Sequence, residues 1–230
     1  MDAAVEGGID FLDTADVYPL GGTTETTGRT EEIVGRWAAG RRHQLVVATK
    51  CHFPMSGRPD DRGNSRKHVL EAIDASLRRP GTDYVDLYQL HHPDPETPID
   101  ETLRALEDVV RSGRARCVGC SNFLAWQVAR AVGRSEAMGV ARFESVQPRC
   151  NLLFREFERE LFPLCLAEGI GVIPYNPIAG GLLSGKHARE GGPPSGTRFT
   201  LGTAAARDAA ARGLADPPCV AEAFGPAPGR

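Results

Sequence analysis

Six short apolar runs, each followed by a stretch of helical periodicity, restrict what this chain can fold into more than any other feature of it. The runs cover residues 9–12, 45–49, 84–90, 115–119, 144–147 and 171–174. Between them, over 30–39, 65–78, 98–112, 123–137 and 155–167, apolar residues recur with the 3.6-residue period of an amphipathic helix. Strand alternating with helix is the rhythm of a parallel sheet, because parallel neighbours need a crossover connection. Ser65 and Asp100 lie near predicted helix starts, and Gly113 and Gly169 follow predicted helix ends, where a left-handed residue is wanted.

The balance of 27 basic and 30 acidic residues gives a net charge of -3, with no basic run beyond Arg41-Arg42-His43, so no nucleic-acid partner is expected. No stretch approaches the roughly 18 to 20 apolar residues that cross a bilayer, and the N-terminus lacks the basic-then-apolar pattern of an export signal. A cytoplasmic protein without a membrane partner is expected. The six cysteines then read as reduced thiols, mostly buried. Cys117 and Cys120 are spaced like half a zinc knuckle, but on a strand they face opposite sides, and no second ligand pair lies at finger spacing. No metal site is expected.

Two architectures share this rhythm. A doubly wound nucleotide-binding sheet would carry Gly-x-Gly-x-x-Gly after its first strand, whereas here that strand runs into Asp13-Thr14-Ala15-Asp16-Val17-Tyr18. A (β/α)8 barrel instead collects its chemistry at the C-terminal ends of several strands. Those ends hold Asp13 and Tyr18, Lys50, His91 and His92, Ser121 and Asn122, Gln147, and Tyr175 with Asn176. The barrel reading accounts for all of them on one rim.

Each of these residues alone has a structural explanation; the set has a chemical one. A phenol titrates near ~10 and gives up a proton poorly unless a cation lowers that value. Lys50 can be that cation, Asp13 can keep it charged, and His91 can orient a substrate oxygen or pass a proton. Such a group polarises a carbonyl and protonates its oxygen, but no side chain supplies two electrons, so a dihydronicotinamide is required. Ser121, Asn122 and Gln147 suit a carboxamide, and Tyr175 offers a flat face.

In order and spacing, Asp-Thr-Ala-Asp-Val-Tyr at 13–18, Ala-Thr-Lys at 48–50, Asp-Leu-Tyr-Gln-Leu-His-His-Pro-Asp at 86–94, Val-Gly-Cys-Ser-Asn-Phe at 118–123 and Val-Ile-Pro-Tyr-Asn-Pro at 172–177 resemble the motifs of the aldo-keto reductase superfamily. The resemblance implies Tyr18 as general acid, Lys50 and Asp13 as the pair that tunes it, and His91 as the orienting histidine, with His92 its neighbour. It implies Ser121, Asn122 and Gln147 on the nicotinamide carboxamide and Tyr175 stacked on the ring. The pyrophosphate region falls to the loop from Asn176 to Lys186, including Pro177, Ile178, Gly180 and Leu182. The cofactor it implies is NADPH, with NADH as the other choice, and the substrate a small-molecule carbonyl compound.

The chain departs from that pattern at both ends. A full barrel has eight strands in ~250 residues, and six are predicted here. Residues 1–8 read as the end of a helix entering the second strand, so the first strand is expected upstream. Likeness to the family ends near residue 202; from 203 to 230, 20 of 28 residues are Ala, Gly, Pro or Arg, the composition of a flexible tail. The expected organisation is a partial barrel domain over 1–202 and a tail over 203–230, without a counterpart of the family's adenosine-phosphate motif. The functional expectation is an NADPH-dependent carbonyl reductase. The alternatives are a truncated non-catalytic relative, either pseudoenzyme or cofactor-binding regulatory protein, and an aldolase using Lys50 as a Schiff base, which Asp13 opposes.

Overall fold

The computed structural model describes residues 1–19, 23 and 25–186. Six strands lie in a single parallel sheet: β1 (Phe11–Asp13), β2 (Val46–Cys51), β3 (Val85–Leu90), β4 (Ala115–Ser121), β5 (Phe143–Gln147) and β6 (Gly171–Val172). Their order in space equals their order in sequence. A doubly wound sheet reverses its strand order at a switch point; this one does not, and it curls into a half-barrel, an incomplete (β/α)8 barrel. The expected boundary after residue 202 and the segment 203–230 lie outside the described residues.

The helices are α1 (Asp2–Glu6), α2 (Arg29–Ala38), α3 (Arg66–Arg78), α4 (Ile99–Arg111), α5 (Ala125–Met138) and α6 (Leu161–Glu168). The Ser65 side chain caps α3 by accepting the His68 N–H. Asp100 lies in the first turn of α4 but caps nothing; both of its oxygens accept from Arg134 on α5. Gly113 and Gly169 follow α4 and α6 with φ of 78° and 67°, as expected of helix stops. The predicted helix over 155–167 is broken into a 3-10 turn at Glu156–Glu158 and α6. Pro163 explains the break: lacking an N–H, it is tolerated only in a first turn, so no helix can run through it from residue 155.

Side-chain alternation decides which residues face the barrel interior. Tyr88 points outward, its hydroxyl donating to the Val69 carbonyl of α3, so its neighbours Leu87, Gln89 and His91 point inward. Lys50 is the register partner of Gln89 and shares that side. The outward set packs against the helices: Tyr88, Leu90 and Val118 meet Ile73, Leu103 and Leu106 in the main core. Each such side chain contributes roughly 1.5–3 kcal/mol by leaving water. At Gly119 a Cβ would stand 2.4 Å from Ser145 Oγ and 2.8 Å from its carbonyl oxygen, so only glycine lets β4 and β5 approach at their register shift.

The two outer strands have one neighbour each among the described residues, and Phe11 and Val172 on them are exposed. Cys117 is exposed and Cys120 buried, as opposite faces of β4 require, and the five described cysteines are free. No helix among the described residues is long and apolar enough to cross a membrane.

Candidate active site

The inward faces of β1, β2 and β3 end in one charge cluster. Lys50 is fully buried; its Nζ donates to Asp13 Oδ2 at 2.6 Å and to the Thr14 carbonyl at 2.8 Å. Burial pulls the ammonium below the ordinary lysine value, and the Asp13 carboxylate pushes back. The other oxygen of Asp13 accepts from Gln89 Nε2 at 3.3 Å. Gln89 escaped notice in the sequence although alternation along β3 places it on the same face as His91.

Tyr18 lies over this cluster. Its ring centroid is 5.3 Å from Lys50 Nζ, and His91 meets the ring edge-on at 5.8 Å between centroids. The His91 N–H donates to the Cys51 carbonyl at 2.8 Å, which ties the end of β3 to the end of β2. Asp13, Tyr18, Lys50 and His91, expected together from sequence, are thus brought together. Phe53, three residues after Lys50, was not expected: its ring packs 4.8 Å from His91 and 5.3 Å from His92. The loop carrying it is braced by His52 Nδ1 at 2.9 Å from Asn64 Oδ1 and by Asn64 Nδ2 donating to the His92 carbonyl.

Behind the cluster sits a second acidic group. Asp16 is fully buried, and among the described residues neither of its carboxyl oxygens accepts a well-aligned hydrogen bond. Burial, and the nearby Glu31, push its carboxyl well above the usual range. Glu31 is itself satisfied, accepting from Thr49 Oγ1 and Arg79 Nε, each at 2.5 Å.

The ends of β4, β5 and the chain after β6 form the other half of the rim. Asn122 adopts φ 62°, a left-handed turn that asparagine tolerates. Its amide donates to the His91 carbonyl at 2.9 Å and to Ser121 Oγ at 3.0 Å, while its oxygen accepts from the Tyr175 hydroxyl at 2.8 Å. Ser121 Oγ donates to the Gln147 carbonyl at 2.8 Å. Gln147 is 4% exposed, and its side-chain amide makes no hydrogen bond among the described residues. Tyr175 titrates above the ordinary phenol value because it is buried.

Beyond Tyr175 the loop turns back on itself. Asn176 Oδ1 accepts the Gly180 N–H at 2.6 Å, and the Gly181 N–H donates to the Ile178 carbonyl at 2.9 Å, so these two donors are spent within the loop. Pro177, Ile178 and Lys186 are exposed and Leu182 is half-buried. Asn151 Nδ2 donates to the Asn176 carbonyl and fastens this loop to the one after β5. A nicotinamide carboxamide fits the donor set: Gln147 has both polar atoms of its amide to offer, beside a Tyr175 ring held in place by its hydroxyl.

Residues 1–212 match the model of the aldo/keto reductase family. The uncharacterized oxidoreductase YrpG of Bacillus subtilis is 40% identical over 193 residues, covering 81% of this chain and 58% of the relative. Versiconal hemiacetal acetate reductase of Aspergillus parasiticus is 38% identical over 208 residues, covering 80% and 57%. A probable voltage-gated potassium channel subunit beta of Arabidopsis thaliana is 39% identical over 198 residues, covering 84% and 58%. The chain therefore spans under two thirds of the length of these relatives.

Proposed function

The chain belongs to the aldo/keto reductase family, and on that premise we propose that it reduces an aldehyde or ketone to the alcohol with NADPH, Tyr18 acting as the general acid. The observation that carries this reading is the fully buried Lys50, bonded to Asp13 at 2.6 Å and lying 5.3 Å from the centre of the Tyr18 ring. A buried cation beside a phenol favours the phenolate that forms when the proton leaves. Asp13 resists loss of the Lys50 proton, and Gln89 holds Asp13 in position.

Tyr18 delivers its proton to the carbonyl oxygen, with His91 at the ring edge to align that oxygen. A reduced nicotinamide, when bound, would be the source of the hydride that no side chain can supply. Gln147, with Ser121 and Asn122, would hold its carboxamide, Tyr175 would offer its face to the ring, and the loop from Asn176 to Lys186 would take the pyrophosphate. The free thiols among the described residues suit a reducing, cytoplasmic setting.

Replacing Tyr18 with Phe tests the assignment. Turnover of a carbonyl panel should fall roughly a hundredfold to ten-thousandfold, the usual share of a general acid, while NADPH still quenches intrinsic fluorescence. Retained turnover would sink the tyrosine assignment, and tighter binding of NADH than NADPH would correct the cofactor. A second reading, cofactor binding without turnover, is favoured by the channel subunit beta named among the relatives. Saturable NADPH binding with no turnover of any carbonyl by the wild-type chain would select it.

A further inference from the structure

Among the described residues, every half-buried arginine but one comes with an acceptor. Arg42 bonds Asp86, Arg79 bonds Glu31, Arg114 bonds Asp74, and Arg142 bonds the Glu168 carbonyl. Arg149, two residues past Gln147 on the rim, makes no side-chain hydrogen bond and no ion pair among the described residues, and its Nε is shut off from water. What holds it is an aromatic ring: the guanidinium carbon lies 4.6 Å from the centroid of Phe154. A cation stacked on a ring keeps its planar fork of N–H donors directed at whatever lies beyond.

Backbone pairing fixes which way Arg149 faces. Arg149 and Tyr175 are partners in a parallel bridge, closed by Tyr175 N–H donating to the Pro148 carbonyl at 2.9 Å and Cys150 N–H to the Tyr175 carbonyl at 3.2 Å. Paired residues of a parallel ladder carry their side chains on the same side. Tyr175 points across the rim to Asn122, with its hydroxyl 2.8 Å from Asn122 Oδ1, so Arg149 stands on the rim side too, one step above Gln147. The charge is close enough to act on the Tyr175 hydroxyl, opposing the upward push of burial.

We propose that Arg149 is the anion-binding residue of this site, taking carboxylate or phosphate oxygens of a ligand seated against Tyr175. The inference deepens the reading above and rests on it for the identity of the ligand. A guanidinium whose donors are unspent, partly withdrawn from water, gains more from a bidentate oxyanion than a surface arginine does. The anion belongs either to the phosphates of the nucleotide or to a carboxylate on the carbonyl substrate.

The test compares the wild-type chain with Arg149→Met, which keeps an apolar stem over Phe154, and with Arg149→Lys, which keeps the charge without the fork. Titration calorimetry with NADPH, inorganic pyrophosphate, benzoate and, as a neutral control, benzamide reads the result, after unfolding midpoints show that each variant is folded. Arg149→Met should weaken an anionic probe roughly tenfold to a hundredfold, the worth of a charge-assisted hydrogen bond. Benzamide should be unaffected, and Arg149→Lys should fall between. Joint loss of NADPH and pyrophosphate assigns the subsite to the nucleotide; loss of benzoate alone assigns it to a substrate carboxylate. Unchanged binding of all three anions in Arg149→Met, or no binding of any of them by the wild type, overturns the proposal. Wild-type binding of pyrophosphate or benzoate without NADPH would instead overturn the cofactor reading and leave the anion subsite standing.

Discussion

Lys50 Nζ lies 2.6 Å from Asp13 Oδ2, yet the two partners sit in different surroundings: the Lys50 side chain is 0% exposed and that of Asp13 31%. The cation is in the barrel wall and the carboxylate at its mouth. Removing the carboxylate leaves a buried ammonium whose remaining hydrogen-bond acceptor among the described residues is the Thr14 carbonyl at 2.8 Å. Asp13→Ala should therefore cost about 2–3 kcal/mol, somewhat under the 3–5 typical of a fully buried pair because Asp13 is partly solvated. It should also drive the Lys50 value further down, so that carbonyl reduction, followed against pH, loses its alkaline limb earlier than in the wild type. An unchanged unfolding midpoint and pH profile would show that the pair is not what holds Lys50 charged.

Asp16 gives a prediction of opposite sign for an acid. Its folded value is raised above the unfolded one, so its contribution to stability is present below the unfolded value of ~3.9 and is lost as pH rises toward the folded value. Asp16→Asn carries no such penalty and should be the more stable protein at pH 7, with the advantage vanishing by about pH 4. Each unit of upward shift corresponds to about 1.4 kcal/mol. Urea midpoints of both proteins across that range read the effect directly.

His68 makes the chain sensitive to mild acid. It is fully buried on α3, its ring nitrogens make no hydrogen bond among the described residues, and Nδ1 is 3.4 Å from Asp61 Oδ1 without the alignment of one. Burial lowers its folded value below the usual ~6.5, with Asp61 opposing. Above the unfolded value both states hold a neutral ring and nothing is gained or lost. As pH falls below it, only the unfolded chain takes up the proton, so stability falls. His68→Gln should flatten the drop in unfolding midpoint between pH 7 and pH 5.5, leaving a remainder from His52, which burial shifts the same way.

Gly119→Ala should destabilise by about 1–3 kcal/mol, the range for overpacking a well-filled interior. The new methyl would meet Ser145 Oγ at 2.4 Å and the Ser145 carbonyl oxygen at 2.8 Å. Combining it with Ser145→Ala relieves only the first clash, so thermal unfolding should show a partial recovery. Full recovery would mean that the backbones of β4 and β5 do not limit the approach.

The alternation of strands and helices, the parallel sheet, and the residues standing at strand ends follow from local periodicity and from a crossover geometry that any parallel pair must obey, so the amino-acid order carries them. Asp13, Lys50, His91 and Gln147 were legible in that way. What those residues touch is set in three dimensions. That Gln89 braces Asp13, that Phe53 packs on His91, and that the Asp16 N–H is tied to the Lys50 carbonyl depend on segments dozens of residues away coming into register, which no local window records. Pro163 was visible in the sequence, but its place in the first turn of α6, after a separate 3-10 turn, shows only in the fold. Arg149 marks the same limit most sharply. Its neighbours in sequence identify the end of a strand, whereas the pairing with Tyr175 sets its direction and the ring of Phe154 sets its pose. Charge and burial are properties of position in space, and the physical chemistry of the site is fixed there.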